Sequence, residues 1–224
     1  VDGRGRLVGL MTARDLSNDV DANRGTYDDK GRLRVAPAVG VVGDFLERAQ
    51  ALVEAGADAL VIDVAHGDSA VMLSAVRRLK ESLGDVPLVT GNVATAEGTE
   101  RLIDAGVDAV KVGIGPGSLC LSRQVAGVGV PQLSAVMQCA DVAHKREVPI
   151  IADGGIRFSG DVAKAIGAGA STTMLGNLLI GTDESPGMVI TRDGRKMKVG
   201  RGMASAEASA DRARRDDPSD KWTT

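Results

Sequence analysis

Aromatic residues are almost missing from this chain: two Phe, one Trp and one Tyr among 224 residues, or 2%. Few rings are available to stack bases, and a formal charge of −3 leaves no basic footprint for a phosphate backbone, so nucleic acid is not expected as a partner. Cysteine is nearly as scarce. Cys120 and Cys139 do not make a disulfide framework, and the reducing cytoplasm is the expected compartment. No apolar run approaches the ~20 residues of a membrane span, and no charged, then apolar, then small-residue leader opens the sequence, so no membrane association is expected. With so few rings the core must be built from Val, Leu, Ile, Ala and Met. A hydrophobic share of 43% is enough for a globular fold.

What the chain has in quantity is glycine, 29 residues, most of them between apolar runs, where turns and close ligand approach call for it. Short Val/Ile/Ala-rich runs occur at 34–41, 59–67, 87–93, 109–115, 149–156 and 171–179. They are continuous rather than alternating, the pattern of parallel strands buried on both faces. Amphipathic stretches separate them. "DFLERAQALVEAG" puts Phe45, Leu46, Ala49, Leu52 and Val53 on one stripe, with Gly56 ending the helix. "SAVMLSAVRRLKESLG" and "TAEGTERLIDAG" repeat the design, Thr95 serving as an N-cap. Six β–α units in a row fit an open doubly wound sheet or most of a (β/α)8 barrel. Polar and glycine residues sit after the strands from the second run onward, at His66-Gly67, Gly91-Asn92, Gly113 to Gly117, Asp153 to Gly155 and Gly176-Asn177. A barrel gathers these at one rim and is the better explanation.

Residues 1–20 stand outside that rhythm. "VDGRGRLVGLMTARDL" reads as a turn, a strand and the start of a helix, the tail of a different small domain, and 21–33 read as a polar linker. The chain opens on Val1 inside a strand-like pattern and closes on "DDPSDKWTT", so both ends are expected to be cuts in a longer protein.

The stretch "KVGIGPGSLCLSR", Lys111 to Arg123, carries the chemistry. Gly113, Gly115 and Gly117 let backbone groups approach a ligand; their carbonyls suit a monovalent cation, and amides with Ser118 suit a phosphate. Cys120 follows at an expected strand-end rim, where an exposed thiol can become the nucleophilic thiolate. Cys139, in the helical "AVMQCADVAHK", reads instead as a small buried hydrophobe. "ADGGI" repeats the rim logic, an acid at a strand end followed by two glycines.

Taken in order, "VKVGIGPGSLCLSR", "VAGVGVPQLSAV", "PIIADGGIRFSGDVAKAIGAGASTTMLGNLL" and "ESPG" resemble the IMP dehydrogenase/GMP reductase family over about residues 34 to 205, and within it the dehydrogenase branch most. The opening resembles the end of the CBS pair that the family inserts into its barrel. The resemblance therefore implies a partial (β/α)8 TIM barrel holding strands three to eight, with residues 34–224 as the catalytic part, including the start of an active-site flap. It implies oxidation of IMP to XMP with NAD through a covalent cysteine intermediate, a potassium ion, and a homotetramer when full-length.

By the same resemblance Cys120 is the nucleophile and Ser122 its hydroxyl partner, standing where the family commonly has threonine. Gly115, Gly117 and Cys120 would offer carbonyls to potassium. Ser118, Gly154, Gly155, Gly176 and Asn177 would surround the nucleotide phosphate. Asp153 would take the ribose hydroxyls, and Gly202 and Met203 would pass by the purine. Asp63 would take the nicotinamide ribose, and His66, Gly67, Asn92 and Gly113 would face the rest of the dinucleotide. Three departures stand out: Asn177 replaces a serine, Gly200 replaces a tyrosine that reaches the phosphate, and Arg212 is followed by Ala213 where the dehydrogenases have an Arg-Tyr pair. The missing pair favours a GMP reductase. Ala206, with Glu207 one place late for a reductase, favours the dehydrogenase. A family member that binds nucleotide without turnover is the third reading.

Overall fold

A computed structural model describes residues 3–9, 12, 25–200 and 202. The chain divides into two compact units, 1–36 and 37–224. In the first, the polar stretch read as a linker contains a tight turn closed by an antiparallel bridge between Tyr27 and Leu33. Asp28 organises it. Its Oδ1 accepts from the Lys30 and Arg32 amides at 2.9 and 2.8 Å, and its Oδ2 accepts from Arg32 Nε at 2.8 Å. Those donors, led by the Arg32 amide, hold the Asp28 carboxyl below its usual range. The other residues read as a CBS tail or linker lie mostly outside the described residues.

In the second unit six strands run parallel: β1 Ala38–Val39, β2 Leu60–Asp63, β3 Leu88–Val93, β4 Ala109–Val112, β5 Ile150–Asp153 and β6 Thr172–Met174. Five α-helices alternate with them: α1 Phe45–Glu54, α2 Ala70–Leu83, α3 Ala96–Asp104, α4 Gln132–Ala143 and α5 Ser159–Gly167. The strand order is consecutive, β1 to β6, without reversal. Each run read as a strand contains one.

Register sorts the strand residues onto two faces. Leu60 pairs with Leu88, Val110 with Ile150, and Val112 with Ala152. These join Phe45, Met72, Leu79, Leu102, Val136 and Ala165 from all five helices in one core cluster. The opposite face carries the row Asp63, Gly91, Lys111, Ile151. A doubly wound sheet would have helices on both faces; here they share one, as around a barrel wall. β1 and β6 are not paired with each other, so the described sheet is an open arc. Burial on both faces was expected, but the second face is wetter: Val89 and Ile151 are only partly buried and Asp63 is exposed.

The helix signals hold locally. Thr95 Oγ1 accepts from the Gly98 amide at 3.1 Å, and Ser69 Oγ accepts from the Met72 amide at 3.2 Å, each satisfying an orphan donor of the first turn. Phe45 and Ala49 are buried, with Leu46, Leu52 and Val53 packed against the core. An element with no counterpart in the sequence reading follows β6. β7 Val189–Arg192 and β8 Arg195–Lys198 form an antiparallel hairpin whose turn residues, Asp193 and Gly194, have φ of +51° and +72°. Asp-Gly between short β-forming runs is a strong hairpin signal. Among the described residues no helix is long and apolar enough to cross a membrane.

Candidate active site

Because all six strands run the same way, their C-terminal ends meet one edge of the sheet, and most of the residues singled out above lie there. Asp63 ends β2 and Asp153 ends β5. Between them sits a side chain to which the sequence reading gave no role. Lys111, only 1% exposed, donates to Asp153 Oδ2 at 2.6 Å, to Asp63 Oδ1 at 3.3 Å and to Asn92 Oδ1. Three acceptors around one Nζ match the three donors of an ammonium group. Asn92 turns its amide the same way, Nδ2 donating to Gly113 O at 2.6 Å and to Asp153 Oδ2 at 3.0 Å. Its side chain is thus engaged within the protein rather than extended from the rim.

The glycines make this crowding possible. A Cβ on Gly91 would stand 2.4 Å from the Lys111 carbonyl, and one on Gly67 would stand 2.8 Å from that of Asn92. At Gly113, φ is +150° and a Cβ would fall 2.1 Å from Asp153 O. Gln132, the first residue of α4, braces the same point. Its Nε2 donates to Val112 O at 2.8 Å and to Asp153 O at 3.1 Å. Neither Lys111 nor Gln132 entered the expected site. A charged residue inside the apolar run "AVKV" and a polar residue directly after "VGVP" were the available signals.

The cysteine loop leans on the neighbouring strand-end loop. A Cβ on Gly154 would lie 3.0 Å from both Gly117 N and Pro116 Cγ, and one on Gly155 would lie 3.3 Å from Pro116 Cβ. Cys120 is half-buried, its amide donating to Gly117 O at 3.0 Å, and its Sγ lies 3.3 Å from Ser122 Oγ. The Ser122 hydroxyl, helped by the Ser122 and Gly115 backbone and the Arg123 charge, lowers the Cys120 thiol below its ordinary value against the opposing effect of burial. Arg123 spans the loop, Nη2 donating to Val130 O at 2.5 Å. Cys139 behaves oppositely: it is fully buried, and burial raises its thiol. That agrees with the reading of Cys139 as core.

The two cysteines should therefore separate under a thiol reagent. In native protein, iodoacetamide is expected to alkylate Cys120 and leave Cys139 untouched. In Ser122→Ala the thiolate loses its main hydroxyl donor, so the inflection of the alkylation-versus-pH curve moves to higher pH and the rate at pH 7 falls. Mass spectrometry of the two cysteine peptides across pH measures both; an unmoved inflection would exclude Ser122 as the cause.

Gly202 is half-buried beside the same loop, where a Cβ would stand 2.9 Å from Leu119 O. Near Gly200, the place of the missing tyrosine, a Cβ would meet Ile180 Cδ1 at 2.8 Å. Ser118, His66, Gly155, Gly176 and Asn177 are exposed at strand ends without being drawn into the Lys111 network. Behind His66, Asp68 is held below its usual carboxylate range by the Arg101 guanidinium, with Arg101 Nε donating to Asp68 Oδ1 at 2.6 Å. Met203, Ala206, Glu207, Arg212 and Ala213 lie outside the described residues. No group of three or more His, Cys, Asp or Glu side chains suited to a metal occurs among the described residues.

The family model for the IMP dehydrogenase / GMP reductase domain matches residues 12–222. The chain belongs to that family. Relatives of both kinds match it about equally. An inosine-5'-monophosphate dehydrogenase of Nitrosopumilus maritimus is 54% identical over 212 residues, 95% of this chain and 44% of the relative. A GMP reductase of Leishmania donovani is 51% identical over 215 residues, with the same two coverages. Among solved structures, a Trypanosoma brucei GMP reductase variant in complex with guanosine 5'-monophosphate superposes with a TM-score of 0.86 at 52% identity, covering 95% of this chain and 45% of that one. The chain thus spans less than half the length of these family members. Inosine-5'-monophosphate dehydrogenases and GMP reductases are both represented among these relatives.

Proposed function

We propose that the protein to which this chain contributes oxidises IMP to XMP with NAD, using Cys120 as a covalent nucleophile. The observation that carries the reading is the Cys120 thiol: half-exposed at the strand-end rim, 3.3 Å from a hydroxyl, with its acidity raised. The thiolate adds to C2 of the base, and the hydride on that carbon leaves for the nicotinamide, converting an addition product into a thioimidate on Cys120. Water then attacks the same carbon, the C–S bond breaks, and XMP and the thiolate are released with a proton. Ser122 donates to sulfur whenever it is anionic, at the start and at the end of the cycle. Asp153 holds the nucleotide ribose, while Ser118, Gly154, Gly155, Gly176 and Asn177 surround the phosphate. Asp63, with His66 and Gly67, holds the dinucleotide, and Gly113, Asn92 and Lys111 shape the wall between the two.

Potassium fits the loop in kind. Gly115, Gly117 and Cys120 would supply uncharged carbonyl oxygens, suited to a hard monovalent cation, and the Gly117 carbonyl, which accepts from the Cys120 amide at 3.0 Å, keeps a second lone pair. When bound, the ion would supply positive charge that stiffens the loop carrying the thiol.

The second reading is reductive deamination of GMP to IMP with NADPH: Cys120 adds to the same carbon, the amine takes up a proton and leaves as ammonia, hydride arrives at that carbon, and the C–S bond breaks to release IMP and the thiolate. Ala213 rather than tyrosine after Arg212 and the similarity to trypanosomatid GMP reductases support it. Full-length protein given IMP plus NAD should show rising absorbance at 340 nm. A fall with GMP plus NADPH, and no rise with IMP plus NAD, would replace the dehydrogenase by the reductase; silence in both would leave binding without turnover.

A further inference from the structure

We propose that Lys111 is a positioning residue that couples the two ribose-binding carboxylates, so that nucleotide and dinucleotide sites are set by one buried cation. This rests on the reading that Asp153 and Asp63 each take ribose hydroxyls. Lys111 itself touches neither ligand: it is 1% exposed and its three donors are already directed at Asp153, Asp63 and Asn92.

The acceptors come from three different strands, β5, β2 and β3, while Lys111 stands on β4. The row Asp63, Gly91, Lys111, Ile151 is built around it. Gly91 is the neighbour whose missing side chain leaves room for the lysine stem, since a Cβ there would come 2.7 Å from Lys111 Cβ. Asp153 receives both the ammonium, at 2.6 Å, and the Asn92 amide, at 3.0 Å, on Oδ2. Its Oδ1 makes no hydrogen bond to the described residues and is left for a ligand. Asp63 gives Oδ1 to the ammonium at 3.3 Å and stays half-exposed, its other oxygen similarly uncommitted. Two carboxylates at one rim repel each other, and a shared cation with low access to water offsets that repulsion while fixing which oxygen each turns outward. A lysine needed for folding alone would require none of this arrangement. An apolar side chain of similar length would fill the space.

The test uses full-length protein and calorimetric titration with IMP and with NAD. Lys111→Gln is expected to raise both dissociation constants by about tenfold, although the residue contacts neither ligand. Lys111→Arg, which keeps the charge but alters its geometry, should raise both by a smaller factor. For IMP, Lys111→Gln combined with Asp153→Asn should bind no worse than Asp153→Asn alone, because the lysine acts through that carboxylate. The Cys120 alkylation profile should be unchanged throughout, which a general loosening of the rim would not allow. Affinities within twofold of the parent, or factors for Lys111→Gln and Asp153→Asn that simply multiply, overturn the inference. If Asp153→Asn and Asp63→Asn themselves leave both affinities unaltered, the ribose assignment has failed instead. Should Lys111→Gln not fold, Lys111→Arg carries the test, and a change in only one of the two affinities counts against the coupling.

Discussion

Replacing Cys120 by alanine in the full-length protein is expected to lower the rate of hydride transfer at least about 10⁴-fold while leaving IMP affinity within about threefold. The split follows from where the sulfur stands. Cys120 projects from the loop after β4, and among the described residues its one side-chain hydrogen-bond partner is the Ser122 hydroxyl. Removing it therefore breaks no structural network, and the Asp153 carboxylate and strand-end glycines that would hold the nucleotide remain. What disappears is the group proposed to bond to the reacting carbon. Stopped-flow absorbance at 340 nm, with titration of IMP by calorimetry, reads both quantities. Persisting turnover would remove the nucleophile from Cys120, and a large loss of affinity would place the residue in binding rather than chemistry.

The second large effect belongs to Gly113. Gly113→Ala should lower the melting temperature by about 10 °C, corresponding to a loss of about 3 kcal/mol or more. Two costs add. The φ of +150° lies where side chains are strained, and the new methyl would fall 2.1 Å from the Asp153 carbonyl and about 3 Å from the Gln132 amide. Relief requires β4 and β5 to separate at their C-terminal ends, the place where Asp153 is held. Thermal melting detects the destabilisation, and IMP affinity should fall with it. By contrast Gly117→Ala, with only Cys120 Cβ near at 3.6 Å, should melt within a few degrees of the parent. Equal melting of the two variants would contradict the close contact at Gly113.

Much of this arrangement was legible beforehand, and the reasons are local. Six apolar runs separated by amphipathic helices with Ser69 and Thr95 at their starts are repeated, short-range patterns, and each strand end carries glycine because loops there crowd together. The cysteine reading also rested on local context, a glycine-rich loop against a helix interior, and the opposed directions of the Cys120 and Cys139 thiols agree with it. What escaped was long-range. Lys111 meets partners 19, 42 and 48 residues away in sequence, and no window along the chain brings those together. Only the register Asp63, Gly91, Lys111 does so, and register is a property of paired strands. Gln132 was hidden in the same way, its bonds reaching 20 and 21 residues back and ahead to the ends of β4 and β5. The β7–β8 hairpin is the exception: its Asp193-Gly194 turn is a local signal, legible without any long-range pairing.

The consecutive strand order also bears on how the domain is made. Successive strands start about twenty to forty residues apart, and each pairs with the one synthesised just before it. On a ribosome adding residues from the N-terminal side, β3 finds β2 already exposed, and β4 finds β3, so the sheet grows at a moving edge instead of awaiting a distant segment. The Lys111 cluster is completed late in that assembly, because the lysine emerges before Asp153 and holds its full set of acceptors only once β5 has docked.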